Sequence, residues 1–116
     1  MTRRDWAFTL LLAASAAGAD EPACPAYHGA APLAQVSVFD GPPEEQADLV
    51  PDRSEGTAGS LHSEWDLGYL YDQGRNAVLV CRYGKSADPV TVPITRKVAR
   101  CVFRAHGGKP AEMSCR

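Results

Sequence analysis

The sequence lacks the short cysteine and histidine motifs from which metal and redox sites are built. Its four cysteines lie 57, 20 and 14 residues apart, so there is no Cys-x-x-Cys pair. Closely spaced ligands are typical of structural zinc sites, and a Cys-x-x-Cys pair is typical of thioredoxin-like redox sites. The three histidines, His28, His62 and His106, are equally scattered. We therefore predict that the chain holds no metal ion and no other cofactor.

Motifs of nucleophilic catalysis and of nucleotide binding are also missing. There is no Gly-x-Ser-x-Gly elbow and no Gly-x-Gly-x-x-Gly fingerprint. Ser60, His62, Ser63 and Asp66 are close in sequence, but a catalytic triad is assembled in space and this cluster does not define one. We predict no catalytic residues, and we interpret the chain as a protein that is not an enzyme.

An excess of basic residues is absent as well. The chain has 12 Lys and Arg residues and 14 Asp and Glu residues, for a net charge of −2. Nucleic-acid binding needs a basic surface that neutralises phosphates, so we exclude nucleic acid as a partner. The charge is divided unevenly, with a net −8 over residues 40–72 and a net +7 over residues 73–116. Two interpretations stay open: the two halves offset each other in the fold, or the acidic half binds a basic protein.

The acidic half supplies the candidate partner-binding residues. We predict a partner-binding acidic loop formed by Glu44, Glu45, Asp48, Asp52, Glu55 and Glu64. The first two glutamates also have a structural interpretation, because carboxylates near the start of a short predicted helix stabilise its dipole.

No apolar run is long enough to cross a bilayer, which takes about 20 residues. The longest such run, residues 7–19, follows two arginines and ends in small residues, which is the pattern of a secretory signal peptide. We predict a signal peptide over residues 1–19, cleaved before Asp20, and a single secreted β-rich domain over residues 20–116 with no transmembrane segment. The general and the twin-arginine export routes both fit this pattern.

Two-residue alternation of apolar side chains is the main pattern of the mature chain, and it is typical of half-buried strands. It is clearest in residues 77–83 and 98–104, each of which has a central cysteine. The predicted fold is mainly β: a small antiparallel sheet of about five strands with one short helix, stabilised by disulfides. We place the strands at 34–39, 65–72, 77–83, 90–94 and 98–104, the helix at 43–49, a mobile loop at 52–63 and an irregular tail at 106–116.

The even number of cysteines predicts two disulfides in an exported domain of this size. Four cysteines allow three pairings. We favour Cys81–Cys101, because both lie in mid-strand, and Cys24–Cys115, because it would tie the N-terminal segment to the tail. The first pair requires strands 77–83 and 98–104 to be close neighbours, and the spacing alone does not decide this.

Three motifs carry a resemblance to a known family: Cys24-Pro25 soon after the predicted signal, the FDGPP turn at residues 39–43, and the VCRY strand at residues 80–83. The chain resembles a family of short, uncharacterised periplasmic proteins of Gram-negative bacteria that is named after an enterobacterial locus tag. The resemblance implies a periplasmic location and a compact disulfide-bonded fold, and it implies no catalytic residues.

A second resemblance concerns residues 78–84, VLVCRYG, which are similar to the cysteine strand of the membrane-bound C-type lysozyme inhibitors. The functional loop of that family carries a Ser-Gly motif, and this chain has no Ser-Gly dipeptide. We predict an exported periplasmic protein that is a non-catalytic binding or envelope-associated protein with a protein partner. The alternative is a periplasmic inhibitor of a lysozyme-type enzyme that binds through its acidic loop.

Overall fold

Two antiparallel sheets form the body of the protein, which is described here from a computed structural model over residues 21–57, 59–84 and 87–116. The predicted signal peptide lies outside the described residues. The elements in chain order are β1 (Tyr27–His28), β2 (Ala31–Pro32), β3 (Gln35–Asp40), β4 (Arg53–Thr57), β5 (Ser60–Asp66), α1 (Gly68–Asp72), β6 (Ala77–Arg82), β7 (Val90–Ile94), β8 (Arg100–His106) and β9 (Glu112–Cys115). The mainly β class with one short helix is thereby confirmed, with the strands divided among three antiparallel sheets.

The first main sheet has the strand order β3-β6-β7. Val38, Leu79 and Val92 are paired across it, and this inner face packs into the core. The central strand β6 is buried on both faces, because Val78 and Val80, which point outward, are only 8% and 7% exposed. Central strands are shielded by neighbours on either side, so the apolar run of β6 fits its position.

The second main sheet has the strand order β4-β5-β8-β9. Ser63, Phe103 and Met113 are paired across its inner face and are all buried. The alternate residues of these strands point to the opposite face, which is mainly polar and charged. This alternation is expected where one face of an antiparallel sheet packs on a core and the other meets water.

A single hydrophobic core lies between the two sheets. Leu67 precedes α1 and Leu70 lies within it, and both are almost fully buried. The core also takes residues from both sheets, among them Val38, Leu79, Ile94, Trp65, Cys101, Phe103, Met113 and Cys115. Residues of both sheets and of α1 therefore belong to the same cluster of buried side chains.

Three predicted elements are corrected by the structure. Residues 52–63, predicted to be irregular, form the β4–β5 hairpin, and the tail contains β9. The strand predicted over 65–72 ends at Asp66, and the chain continues as α1. Strand β4 left no apolar signature because it is an edge strand whose five residues are all exposed.

The helix predicted at 43–49 is also wrong. Only Pro43–Glu45 is helical, as a 3₁₀ turn, and Gln46 then adopts a left-handed conformation with φ of 61°. The chain beyond it pairs with β3 instead, because the amide of Leu49 donates to the carbonyl oxygen of Val38 at 2.8 Å. A helix this short is marginal by itself, and Ala47 and Leu49 form backbone hydrogen bonds with β3 instead.

The structure contains two disulfides, Cys24–Cys81 and Cys101–Cys115, so the favoured pairing was wrong. Cys81 and Cys101 lie on different sheets, whereas Cys101 faces Cys115 directly in the β8–β9 ladder. The amide of Cys24 donates to the carbonyl oxygen of Met113 in β9, at 3.1 Å. The Cys24–Cys81 disulfide then joins this N-terminal segment to the other sheet, so it fastens the two sheets together.

Candidate functional site

The six carboxylates of the predicted acidic loop do not form one loop in the structure. Glu44 and Glu45 lie on the 3₁₀ turn and Asp48 on the segment that follows it. Asp52 precedes β4; two more residues occupy strands, Glu55 in β4 and Glu64 in β5. Three of the six already have internal partners, so they are not equivalent candidates for binding.

Glu64 belongs to an ion-pair network on the outer face of the four-stranded sheet. The Nε of Arg53 donates to Glu64 at 2.9 Å, and its two terminal nitrogens donate to Asp66 at 2.8 and 3.0 Å. Arg100 Nε donates to Asp66 at 3.2 Å, and His62 Nε2 lies 2.8 Å from Glu64 Oε2. This network ties β4, β5 and β8 together, so Glu64 has a structural role that the sequence did not indicate.

The network lowers the pKa of both of its carboxylic acids. The hydrogen bond from His62, followed by that from Arg53, lowers the pKa of Glu64 below its ordinary value. The hydrogen bonds from Arg53 lower the pKa of Asp66, and the same bonds raise the pKa of the Arg53 guanidinium. Both carboxylates are therefore ionised at neutral pH and fully engaged with bases of the same sheet.

Glu45 is held by Arg75, which also shapes the FDGPP turn. Arg75 Nε donates to Asp40 Oδ1 at 2.6 Å, and Nη2 donates to Glu45 Oε1 at 3.1 Å. Gly41 has a φ of +86°, and a Cβ atom built on it would lie 2.4 Å from Arg75 Nη2. The positive φ favours glycine at this turn, and a larger residue would also displace the Arg75 guanidinium from its present position.

The remaining carboxylates are better candidates for binding. Glu44, Asp48 and Glu55 are exposed, and none of their side chains makes an ion pair with another described residue. Asp52 is a weaker candidate for binding, because its Oδ2 already accepts a hydrogen bond from the Asp66 amide at 2.7 Å. We refer to Glu44, Asp48 and Glu55 as the free carboxylates.

An open cleft with a volume of about 580 Å³ separates the two sheets beside one of these carboxylates. We call it the inter-sheet cleft. Its lining is mainly apolar and comprises Ala34–Ser37, Asp48–Pro51, Ser54, Leu61, Ser63, Trp65, Phe103 and Ala105. This cleft has no signature in the sequence, because it depends on how the edge of β3 meets the inner face of the other sheet.

Residues 48–51 form one wall of the inter-sheet cleft, and we call them the rim segment. Trp65 is 5% exposed and donates its indole N–H to the carbonyl oxygen of Leu49 at 2.9 Å. Across the cleft floor, the hydroxyl oxygens of Ser54 and Ser63 lie 2.7 Å apart and satisfy each other. The Ser63 hydroxyl on the floor of the cleft therefore has a hydrogen-bond partner. The rim segment is held in position by the bond from Trp65.

Ser63 and His62 lie on opposite faces of β5, so these two residues do not form a nucleophile–base pair. Ser63 points into the inter-sheet cleft, whereas His62 lies on the outer face and is bonded to Glu64. A nucleophile needs its base within hydrogen-bond reach, and here the sheet separates them. Asp66 is also on the outer face, bound to Arg53.

The aromatic residues after Trp65 do not share a binding platform with it. Tyr69 is 51% exposed on α1, and the hydroxyl of Tyr71 donates to the carbonyl oxygen of Ile94 at 3.0 Å. Burial raises the pKa of Tyr71 above its ordinary value.

Two further features concern metals and membranes. Within residues 21–57, 59–84 and 87–116, no group of three His, Cys, Asp or Glu side chains is arranged to hold a metal ion. No helix in these same ranges is long and apolar enough to span a bilayer.

Comparison with known proteins gives one family. A family model described as type VI secretion system Tli immunity protein matches residues 27–116. The match covers both main sheets, and it includes the FDGPP turn, the VCRY strand and three of the four cysteines. No curated protein and no solved structure gives a significant match to the chain. On the extent of the family match, the chain belongs to the type VI secretion system Tli immunity protein family.

Proposed function

We propose that the protein binds a toxic effector of a type VI secretion system and blocks its activity. The family match over residues 27–116 carries this proposal. Immunity of this kind is a binding function, because covering or distorting the active site of a toxin needs no catalytic group. The packed double-sheet core and the two disulfides provide a rigid scaffold for such binding.

We place this activity in the periplasm. Disulfides form and persist in oxidising compartments, and the Cys24–Cys81 and Cys101–Cys115 bonds fit such a compartment. Export by a signal peptide over residues 1–19, leaving a domain over residues 20–116, is part of the same proposal. The mass of the protein purified from periplasm tests it, because cleavage elsewhere or retention of residues 1–19 gives a different value.

We assign effector contact to the free carboxylates, Glu44, Asp48 and Glu55. They are exposed and make no ion pair with another described residue, so they can meet a basic surface without losing an internal bond. Charges of this kind steer encounter and speed association more than they add affinity. Glu45, Asp52 and Glu64 are left out of the assignment because they already bond Arg75, the Asp66 amide and Arg53.

A competition assay between sibling strains tests the immunity function directly. The recipient lacks the gene, and the attacker carries an active type VI secretion system. We expect the recipient to be killed, and to survive when it expresses the wild-type protein. Killing must also disappear when the secretion apparatus of the attacker is inactivated. Equal survival with and without the protein would overturn the proposal.

Charge reversal in the same assay tests the assigned contact. The variant combines Glu44→Lys, Asp48→Lys and Glu55→Lys. We expect its protection to fall most at low ionic strength, where attraction between charges is least screened. The matched control reverses three other exposed acids whose side chains make no ion pair among the described residues: Glu21, Asp88 and Glu112. Equal loss in both variants would assign the effect to net charge alone and reject these contacts.

The effector class needs a separate measurement. The strand that resembles C-type lysozyme inhibitors favours an effector that cleaves the cell wall, and a lysozyme is the probe for this finer proposal. We expect micromolar protein to slow the lysis of a cell-wall suspension by a C-type lysozyme. No inhibition at that concentration rejects the lysozyme-type alternative, while immunity towards another class of effector would still be tested by the competition assay.

A further inference from the structure

We propose that the inter-sheet cleft receives an apolar side chain of the effector that has a lysine or arginine beside it. This inference rests on the proposed immunity function and adds the site and chemistry of the contact. The cleft is the apolar part of the contact, and Asp48 on its rim is the charged part. Binding energy at protein interfaces concentrates where a large side chain enters a preformed pocket surrounded by polar residues.

The size and lining of the cleft fit such an occupant. Its volume of about 580 Å³ is in the range of clefts that bind small ligands, so it has room for one large side chain. Leu61 and Ala105 are half-buried members of its lining, so they have apolar surface that a partner can still cover. Phe103 and Trp65 beneath them are buried and give the cleft a firm apolar floor.

An exposed valine on the rim gives an independent indication of a partner. Val50 is 84% exposed although it lies in a segment that is fixed on both sides. Before it, the amide of Leu49 bonds Val38 at 2.8 Å and the carbonyl of Leu49 accepts the Trp65 indole at 2.9 Å. After it, the amide of Asp52 donates to the carbonyl oxygen of Glu64 at 2.8 Å. The valine is therefore held in water by its scaffold, and this preorganisation lowers the cost of binding.

The charge at the cleft indicates that the occupant also has a basic residue. Asp48 lines the cleft and makes no ion pair with another described residue, and no described lysine or arginine is among the lining residues. A carboxylate that becomes covered by a partner needs a positive group to compensate for its lost hydration. We therefore expect a lysine or arginine of the effector next to the inserted apolar side chain.

Two other occupants are less consistent with the structure. Glu21, the first described residue, lies beside Arg100 and Ser114 on the outer face of the four-stranded sheet and does not line the cleft, so nothing places an N-terminal segment in it. A second copy of the chain would bring another Asp48 or another acidic rim towards this one in a symmetric pair, and like charges oppose such pairing.

Filling the cleft tests the proposal without removing a contact. In Ala105→Trp the indole occupies the cleft, whereas in Ala99→Trp it lies on an exposed position of the same chain segment, about 20 Å away. In the competition assay we expect recipient survival with Ala105→Trp to fall at least about tenfold below wild type, and survival with Ala99→Trp to match wild type. Equal survival with both variants would overturn the cleft as the contact.

A second variant covers the case in which Ala105→Trp does not fold. Val50→Ser removes exposed apolar surface, so its thermal midpoint should equal that of the wild type while protection decreases. Full protection by this variant contradicts the proposal. Asp48→Asn and Asp48→Lys should weaken protection in that order, and equal protection by both would reject the basic neighbour.

The oligomeric state separates this inference from its competitors. We expect the wild-type protein and Val50→Ser to be monomeric in sedimentation at micromolar concentration. A dimer that dissociates in Val50→Ser would identify a second copy as the occupant and overturn the inference. Failure of the wild-type protein to protect at all would instead reject the immunity function, so the two failures are distinguishable.

Discussion

The indole N–H of Trp65 donates a hydrogen bond to the carbonyl oxygen of Leu49 at 2.9 Å. This bond connects strand β5 to the rim segment, which leaves the edge of β3 at this point. Because Trp65 is buried and Leu49 is half-buried, losing one of these groups leaves the other poorly compensated by water. One bond therefore couples the packing of the core to the shape of the inter-sheet cleft.

We predict that Trp65→Phe destabilises the protein by about 1–3 kcal/mol, because it leaves the Leu49 carbonyl without its donor and creates a small void. The decrease is measured as a shift of the urea unfolding midpoint. The control is Tyr69→Phe, which removes a polar group from a side chain that is 51% exposed and should change stability by less than about 0.5 kcal/mol. Equal shifts in the two variants would contradict the structural role of the bond.

The two disulfides should differ in their contributions to stability. Cys24–Cys81 closes a separation of 57 residues and Cys101–Cys115 one of 14. In the loop-entropy model these closures contribute about 4 and about 3 kcal/mol, so replacing the first pair by serines should cost more. Unfolding of the two double-serine variants measures the difference, and peptide mapping without reduction checks the pairing. A Cys81–Cys101 peptide would contradict the topology reported above.

Substitution of two glycines with left-handed backbone conformations distinguishes the cost of backbone strain from the cost of displacing the Arg75 guanidinium. Gly41 and Gly74 have φ of +86° and +78°, but only at Gly41 would a Cβ atom approach Arg75. We expect Gly74→Ala to cost about 1–2 kcal/mol from backbone strain, and Gly41→Ala to cost more because it also disrupts the bonds of Arg75 to the turn. Thermal unfolding measures both, and a smaller effect at Gly41 would show that the guanidinium is not needed there.

Acid should weaken the ion-pair network on the outer face. The folded-state pKa values of Glu64 and Asp66 lie below their ordinary values, which are about 4.3 and about 3.9, so the unfolded chain binds protons first as the pH falls. The contribution of the network is therefore complete above about pH 5 and is lost as the pH falls through the folded-state pKa values.

Denaturation across this pH range measures the effect in a matched pair of variants. Arg53→Gln removes a cause of both lowered pKa values and should flatten the acid slope of stability. Arg104→Gln removes an exposed arginine of the same sheet that makes no ion pair within the described chain, and it should leave the slope unchanged. A steeper dependence of stability on pH in Arg53→Gln would contradict the conclusion that Arg53 lowers the pKa values of Glu64 and Asp66.

Strands β6 and β7 were predictable because their side-chain pattern is a local consequence of burial. Residues 90–94 match the predicted strand, and residues 77–82 match it to within one position. Strand β9 carried the same alternation in Met113 and Cys115, but four residues are too few for the pattern to stand out. Helix α1 was wrongly predicted to be part of a strand. The signal that was overlooked is the spacing of three residues between the buried Leu67 and Leu70, because a helix buries this spacing on one face and a strand does not.

The candidate site was predicted only in its chemistry. The sequence indicated an acidic surface, and the free carboxylates Glu44, Asp48 and Glu55 belong to the residues it singled out. It did not show that Glu64 is engaged by Arg53, because the two residues meet only through the β4–β5 register. The inter-sheet cleft had no sequence signature, since its lining comes from segments as far apart as Ala34 and Ala105.

The sequence by itself determined the mainly β class, the strands with strong alternation, the division of charge and the number of disulfides, because these follow from composition and from neighbours along the chain. Only the tertiary structure decided which strands are adjacent, which cysteines pair and where a cleft remains open. Strand order is set by long-range packing of apolar faces, and many orders bury the same alternating residues equally well. The placement of Cys81 and Cys101 on separate sheets is one such decision, and the disulfide pairing follows from it.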